Sequence, residues 1–250
     1  MRKQARELRR RGQIWWIEHG WRWRRHRLPL PNHLIALPST EGVRLLAEAD
    51  PIGDYLRLSP WFESQDSPNF CGPTTMAMLL NMLDAPSPPD ATGHFTQHSV
   101  FTRDTDALRP RGTVIREGMP LPVFADYLAA HAVAVVPRYA RDIDVQDFRT
   151  EAIAVLDDPD RAMAVNYLRA ALGQEGHGHL SPLAAFHPAS DRFLVLDVSR
   201  YRYPPVWVRT LDLFGAMNTD AGRRSRGYVI AARADADAVA QLERTKAAVA

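Results

Sequence analysis

The sequence predicts an α+β fold in which a helix-rich N-terminal half is followed by an antiparallel sheet. Apolar residues recur at helical spacing in several stretches up to residue 156. The pattern then changes, because residues 180–187 and 193–198 are strand-like runs separated by Pro-Ala-Ser-Asp-Arg, which predicts a hairpin. At 250 residues and 46% hydrophobic content, the chain is long enough for one well-buried domain or two small ones.

The composition excludes several classes of protein. A single cysteine, Cys71, excludes an internal disulfide framework and a thiolate-rich metal cluster. No run approaches the roughly 18 apolar residues of a membrane-spanning helix, and the N-terminus lacks the apolar core of a signal peptide. We therefore expect a soluble, cytoplasmic protein, with peripheral membrane association and export left open.

Residues 1–33 form a basic arm and linker. Residues 1–27 contain ten of the 31 basic residues, two of the 29 acidic residues and four of the six tryptophans. Arginine interleaved with tryptophan is typical of segments that contact a membrane surface or a nucleic acid. The alternative is a terminal extension whose aromatic side chains dock on the body. No nucleic-acid-binding module is recognisable, so a nucleic acid is not an expected partner, whereas membrane-surface contact stays open.

The first elements of the body precede the cysteine. Residues 34–37 predict a short strand. Ser39 or Thr40 is placed to cap a helix over residues 41–49, because a hydroxyl at this position accepts a hydrogen bond from the first helical turn.

The stretch from Gln65 to Thr75 carries Cys71 and leads into a second helix. Pro73 suits a first helical turn, and four apolar residues then recur at helical spacing, namely Met76, Leu79, Leu80 and Leu83. Cys71 therefore lies at a helix N-terminus, where unpaired N–H groups and the helix dipole lower the pKa of a thiol and favour a nucleophilic thiolate. The alternative for any lone cysteine is a small buried hydrophobic side chain.

The remaining elements follow in order. Residues 84–93 predict a loop rich in proline and small residues, and residues 110–112 predict a turn between irregular stretches. Predicted helices then lie at residues 121–130, 144–156 and 211–217, strands at 132–137, 162–168 and 227–232, and an extended segment at 201–208. The alanine-rich, charged residues 233–250 predict a C-terminal surface helix or tail.

The predicted hairpin brings two polar residues to the same end of the sheet. His179 precedes the first strand and Asp197 lies near the end of the second, so we expect them to be close together. Acyl transfer through a thioester needs a thiolate, an imidazole, a group that orients the imidazole, and donors for the oxyanion. Cys71, His179, Asp197 and Gln65 fit these roles. The chain has nine histidines and several other acidic residues, so spacing alone leaves other assignments open.

Three stretches resemble the catalytic domain of the phytochelatin synthase family, which has a papain-like fold. They are QDSPNFCG at residues 65–72, NYLR at 166–169 joined to LGQEGHGHLSPL at 172–183, and LDVSRYRYPPVWV at 196–208. The resemblance implies a papain-like catalytic domain over residues 34–232, with the cysteine helix packed against an antiparallel sheet.

The resemblance implies a transferase that acts on glutathione. Cys71 would attack the peptide bond between cysteine and glycine, release glycine, and hold a γ-glutamylcysteinyl thioester that passes to water or to a second glutathione. His179 would be the general base and acid, Asp197 its orienting partner, and Gln65 an oxyanion donor.

The same resemblance suggests binding residues and partners. Arg200 matches an arginine of the family motif and is the first candidate to bind a substrate carboxylate, with a structural salt bridge as the alternative. Arg226 and Tyr203 are further candidates, for which packing roles are the alternative. No cofactor is required for the chemistry, while cadmium or zinc would enter as an activator or as a metal–glutathione thiolate substrate, at a site that the sequence does not specify. A homodimer is also open.

Plant-type members of the family continue into a cysteine-rich C-terminal region, and this chain has no second cysteine. It therefore resembles the short bacterial form, in which hydrolysis of glutathione is favoured over synthesis. Two other functions stay open. One is a cysteine peptidase or amidase acting on another γ-glutamyl or peptide substrate. The other is a non-catalytic protein that binds thiol–metal complexes.

Overall fold

The computed structural model describes residues 9–10, 12–16, 26–87 and 93–233. The helices of the body are Thr40–Ala47, Gly53–Leu58, Cys71–Met82, Arg103–Leu108, Arg111–Glu117, Leu121–Ala129, Val145–Leu156 and Thr210–Met217. The strands are β1 (Ile35–Ala36), β2 (Val133–Tyr139), β3 (Arg161–Leu168), β4 (Gly178–His187), β5 (Arg192–Val195), β6 (Val206–Arg209), β7 (Asp220–Ala221), β8 (Arg224–Ser225) and β9 (Gly227–Arg233). Apart from Arg233, the predicted C-terminal helix or tail lies outside the described residues.

A seven-stranded antiparallel sheet runs through the described part of the chain in the order β1-β6-β5-β4-β3-β9-β2. Successive side chains of β3 pack alternately into two cores, with Ala162 and Ala164 in one and Met163 and Val165 in the other. Because side chains pack on both faces, β3 and β4 are buried almost throughout and appear in the sequence as continuous apolar runs. The predicted α+β fold is confirmed.

The helix Cys71–Met82 is the central helix of the first core, and all of its residues are buried. It packs against β4 and β3, and the Thr75 hydroxyl donates to the Leu180 carbonyl at 3.1 Å. Its buried amide, Asn81, exchanges two hydrogen bonds with the backbone of Phe95, at 2.8 and 2.7 Å. These bonds satisfy the polar groups that a fully buried helix cannot expose to water.

Capping residues determine where two predicted helices begin. The Ser39 hydroxyl accepts a hydrogen bond from the Gly42 N–H at 3.0 Å, which places the start of the first helix at Thr40. Asp144 caps the helix Val145–Leu156 by accepting from the N–H groups of Gln146 and Asp147. Both helices therefore begin within one or two residues of the predicted positions.

Three short helices differ from the sequence-based prediction. Residues 110–112, predicted as a turn, form the start of the helix Arg111–Glu117, with Pro110 as its N-cap. The helices Gly53–Leu58 and Arg103–Leu108 were not predicted. Each of the three has only six or seven residues, so none is long enough to display two turns of helical periodicity.

Of the arm and linker, the structure describes residues 9–10 and 12–16, which are helical, and residues 26–33. Ile14 packs against the first core, whereas the side chains of Trp15 and Trp16 are 62% and 52% exposed. Contact of the arm with a membrane surface stays a prediction, as does a homodimer. Across the described residues, no helix is both long enough and apolar enough to cross a bilayer.

Candidate active site

Cys71 is the first residue of its helix, at the wall of a cleft. Phe70 occupies the N-cap and provides no side-chain cap, so the N–H groups of Cys71 and Gly72 at the start of the helix are left for a ligand. Burial raises the pKa of the Cys71 thiol, but this effect is outweighed by a hydrogen bond and charge from His179, the Leu180 N–H and the charge of Arg169. The net pKa lies below the ordinary thiol value, which favours the thiolate.

His179 lies near the start of β4, opposite Tyr167 of β3. Its Nε2 is 2.9 Å from Asp197 Oδ1, which leaves Nδ1 as the ring nitrogen available to Cys71. Burial and the Arg169 charge lower the pKa of His179, but the Asp197 charge and the hydrogen bonds with Asp197 and Cys71 raise it above the ordinary value overall. The opposite shifts of thiol and imidazole favour a thiolate–imidazolium pair.

Asp197 is fully buried just after β5. Its Oδ1 accepts hydrogen bonds from His179 Nε2, from Arg169 Nη2 at 2.7 Å, and from the Ser199 N–H at 2.8 Å. Burial alone would raise the pKa of this carboxyl, but Arg169 and His179 hold it well below its usual range. Asp197 is therefore an ionised acceptor with a fixed orientation.

Gln65 lies beside this group and is held by its backbone, whose N–H donates to the Val198 carbonyl at 2.9 Å. Its Nε2 donates to the carbonyls of Ser67 and Pro68 at 2.8 and 2.9 Å, with a longer 3.2 Å contact to the Tyr201 hydroxyl. The amide nitrogen is thus shared among three acceptors. An oxyanion would have to replace the longest of these contacts.

The cleft in front of Cys71 has a volume of about 750 Å³. Its charged lining is mainly basic, with four arginines from two distant segments of the chain, namely Arg109, Arg223, Arg224 and Arg226, against one carboxylate, Glu117. Asn166 and Gly178 also line the cleft, and Gly178 leaves space for the Arg226 guanidinium, which a Cβ there would approach to 3.2 Å. The arrangement suits an anionic substrate.

The three predicted substrate-binding residues are in different places. Arg226 lines the cleft, where its Nη1 also donates to the Thr219 hydroxyl at 2.9 Å. Arg200 lies outside the cleft lining, since its guanidinium donates to the Phe62 carbonyl at 2.9 Å and stacks 4.5 Å from the Phe62 ring. Tyr203 is buried, and its hydroxyl accepts from the Glu175 N–H at 2.8 Å. Of the three, only Arg226 lines the cleft that Cys71 also lines.

Sequence reasoning missed Arg169 and three of the cleft arginines. Arg169 belongs to a stretch that resembles the family, but an arginine after a buried strand gave no sign of its partner. Arg223 lies in the turn of the β7–β8 ladder and Arg224 is the first residue of β8, and this ladder is too short to show a strand pattern. As for metals, the described residues include no group of three or more His, Cys, Asp and Glu side chains that could hold an ion.

Comparison with known proteins adds a family relationship. The family model described as phytochelatin synthase matches residues 25–228. Glutathione gamma-glutamylcysteinyltransferase 3 of Lotus japonicus is 31% identical over 81% of this chain and 43% of its own length. Glutathione gamma-glutamylcysteinyltransferase 1 of Triticum aestivum is 32% identical over 82% of this chain and 42% of its own length. Glutathione gamma-glutamylcysteinyltransferase of Schizosaccharomyces pombe is 27% identical over 80% of this chain and 49% of its own length. The chain spans less than half the length of these relatives.

Proposed function

Because this chain belongs to the phytochelatin synthase family, we propose that it cleaves the Cys-Gly bond of glutathione through a thioester on Cys71. The observation that carries the proposal is the contact chain from Cys71 through His179 to Asp197, beside a cleft lined by arginines. Relatives named for glutathione and γ-glutamylcysteinyl transfer support the same substrate. Glutathione carries two carboxylates, which a basic cleft attracts.

The proposed reaction begins with the Cys71 thiolate attacking the carbonyl carbon of the cysteinyl residue in glutathione. The oxyanion that develops would lie near the Cys71 N–H and the Gln65 amide. His179 then gives its proton to the glycine nitrogen as the C–N bond breaks, so that glycine leaves and a γ-glutamylcysteinyl thioester remains. Neutral His179 is then ready to act as a base.

The second step transfers the acyl group. His179 takes a proton from water or from the amino group of a second glutathione, and the attacking atom displaces the Cys71 thiolate as the C–S bond breaks. Water yields γ-glutamylcysteine and a second glutathione yields a phytochelatin. A glutathione thiolate that carries cadmium or zinc would enter this step as substrate.

The test is product analysis of the purified protein with glutathione, with and without cadmium. We expect glycine release from the wild-type protein, and none from Cys71→Ala or His179→Ala. The matched control is His187→Gln, because His187 is a buried histidine at the other end of β4, bonded to Ser190 and Glu48. Glycine release by Cys71→Ala, or an equal loss in the control, would overturn the proposal.

The same measurement separates the alternatives. Faster cleavage of an ordinary tripeptide ending in Cys-Gly than of glutathione would favour a general peptidase. Tight binding of cadmium without thioester formation would favour a metal–thiol binding protein. Among the products, γ-glutamylcysteine indicates hydrolysis and longer γ-glutamylcysteine oligomers indicate synthesis.

A further inference from the structure

Arg169 is a buried arginine that contacts the active site from behind. It opens the 3-10 turn Arg169–Leu172 that follows β3, and its side chain is only 4% exposed. Nη2 donates to Asp197 Oδ1 at 2.7 Å, and Nη1 donates to Gln174 Oε1 at 3.0 Å. A buried arginine is rare unless its charge is paired, and here the paired group is the carboxylate that holds His179.

The loop before β4 folds around this guanidinium. Gly176 has φ of +120°, and a Cβ there would lie 3.1 Å from Arg169 Cδ, so glycine is needed both for the backbone conformation and for the space. The guanidinium carbon lies 5.2 Å from the centre of the Tyr203 ring, which supplies a cation–π contact. Tyr203 is itself fixed by the Glu175 N–H. The site is thus built to keep Arg169 in one position.

The charges of the buried groups alternate along the contact chain. In the reactive state they are the Cys71 thiolate, the His179 imidazolium, the Asp197 carboxylate and the Arg169 guanidinium, so the formal charges cancel. Without the guanidinium, the carboxylate would leave an excess negative charge that disfavours a thiolate nearby in a low-dielectric site. Arg169 lowers the pKa of both Cys71 and His179 through its charge, and Asp197 raises that of His179.

We propose that Arg169 is a positioning residue that acts through Asp197. Its guanidinium fixes the carboxylate and cancels its charge, so that Asp197 can orient His179 without suppressing formation of the Cys71 thiolate. The proposal rests on Cys71 being the nucleophile. It does not depend on which thioester is formed, and so it can be tested without glutathione.

Other titratable or charged side chains around the Cys71–His179 pair affect the interpretation of a pH profile. Besides Asp197 and Arg169, they are Tyr167 on β3, Tyr201 after Asp197, and the cleft residues His177, Glu117, Arg109, Arg223, Arg224 and Arg226. Burial raises the pKa of Tyr167 and of Tyr201, so both are neutral near pH 7. Arg226 keeps its charge over the same range, because an arginine stays protonated. His177 lines the same cleft as Cys71, so each variant is also measured in a His177→Gln background.

The experiment measures the rate constant of Cys71 alkylation by iodoacetamide as a function of pH. Cys71 is the only cysteine, so the signal comes from one atom. In the wild-type profile, a first step reports thiolate formation and a second reports deprotonation of His179. In Arg169→Met we expect both steps to move to higher pH by about one unit, which lowers the rate on the rising limb by roughly tenfold.

Two further substitutions separate charge from hydrogen bonding. Arg169→Gln keeps a donor for Asp197 without the charge, so both steps should again move to higher pH. If Arg169→Met does not fold, the test relies on Arg169→Gln. Arg169→Lys restores the charge, and both steps should return close to their wild-type positions.

The matched control is Arg161→Met. Arg161, the first residue of β3, is also a buried arginine. It is 8% exposed and paired with Asp158 at 2.7 Å, at the end of the strand away from Cys71. Its loss should weaken the fold without moving either step. Steps that stay at their wild-type pH in folded Arg169→Gln, or that move equally in Arg161→Met, would overturn the proposal. Glycine release by the wild-type protein tests the proposed reaction separately.

Discussion

At the scale of single residues, one oxygen atom organises the candidate site. Asp197 Oδ1 accepts from a side chain on β4, a side chain after β3 and the backbone of its own loop. A carboxylate with three donors to one oxygen cannot rotate without breaking all three bonds. The imidazole orientation is therefore set by the rigid sheet, and this precision is what a catalytic group requires.

Gln65 provides a prediction at this scale. In Gln65→Ala we expect the rate constant of glycine release to fall by about 10²–10³, the usual loss when one oxyanion donor is removed. Alkylation of Cys71 by iodoacetamide should keep its wild-type rate, because that reaction forms no oxyanion. Steady-state kinetics measures glycine release, and alkylation by iodoacetamide measures the reactivity of Cys71.

The control for this prediction is Tyr201→Phe, which removes the acceptor of the longest Gln65 contact. Glycine release should be largely retained, since an oxyanion would take the place of that hydroxyl. If Gln65→Ala slowed alkylation and glycine release equally, the role of Gln65 would be to hold the Ser67–Pro68 turn instead.

Part of this site could be predicted from the sequence. The hairpin signal placed His179 near Asp197, because the strand ends of a hairpin are fixed by its turn. The bond itself could not be predicted, since a register shift between Leu183 and Ala185 decides it. Arg226 was a candidate through the family resemblance alone. Its position in the cleft depends on the pairing of β9 with β3, a contact between residues 61 to 71 apart that no local pattern encodes.

At the scale of elements, the helix Thr40–Ala47 meets β1 at a single glycine. A Cβ on Gly42 would lie 2.0 Å from the Ala36 carbonyl oxygen, and the Gly42 carbonyl accepts from the Trp207 indole at 3.0 Å. The close approach therefore joins the first helix, β1 and β6. A helix-forming residue at this position would have to separate them.

This contact leads to a stability prediction. Gly42→Ala should lower the free energy of unfolding by about 1–3 kcal/mol or more, because the added methyl group meets rigid backbone atoms. Gly215→Ala is the matched control, since Gly215 is also helical and a Cβ there would meet nothing within 4 Å. It should raise the free energy of unfolding by about 0.5–1 kcal/mol. Urea denaturation measures both, and equal effects of the two changes would contradict the structure.

The contrast between long and short elements shows what local sequence determines. Val145–Leu156 has three turns of apolar spacing and a capping aspartate, and its prediction is confirmed. Arg103–Leu108 has a capping box of Thr102 and Thr105 but only six residues. It also has tertiary contacts with the helix Leu121–Ala129, such as the hydrogen bond that the Tyr127 hydroxyl donates to the Arg109 carbonyl.

At the scale of the whole molecule, charge is divided between regions. Outside residues 1–27 the chain has 21 basic and 27 acidic residues, so the body is acidic while its cleft is lined by four arginines. A basic cleft in an acidic surface concentrates the attraction for anions at one place. The overall formal charge of +2 gives no indication of this arrangement.

The basic cleft in an acidic body predicts how substrate binding responds to salt. The KM for glutathione should rise with ionic strength in the wild-type protein, since exposed charges are screened over about 10 Å at 0.1 M. In Arg226→Ala, KM at low salt should be roughly tenfold higher, which corresponds to the loss of one charge-assisted contact. The rise of KM with ionic strength should also be weaker in this variant. The rate constant kcat should change little, because the lost contact binds ground state and transition state alike.

Arg209→Ala is the control for this salt dependence. Arg209 is exposed, pairs with Asp212 at 2.8 Å, and lies outside the cleft lining. Its removal changes the net charge by the same amount as the removal of Arg226. If both variants altered KM equally, substrate attraction would follow the net charge of the protein, and the arginines of the cleft would have no special part in binding. A larger effect of Arg226→Ala would show that position within the cleft, and not total charge, determines affinity.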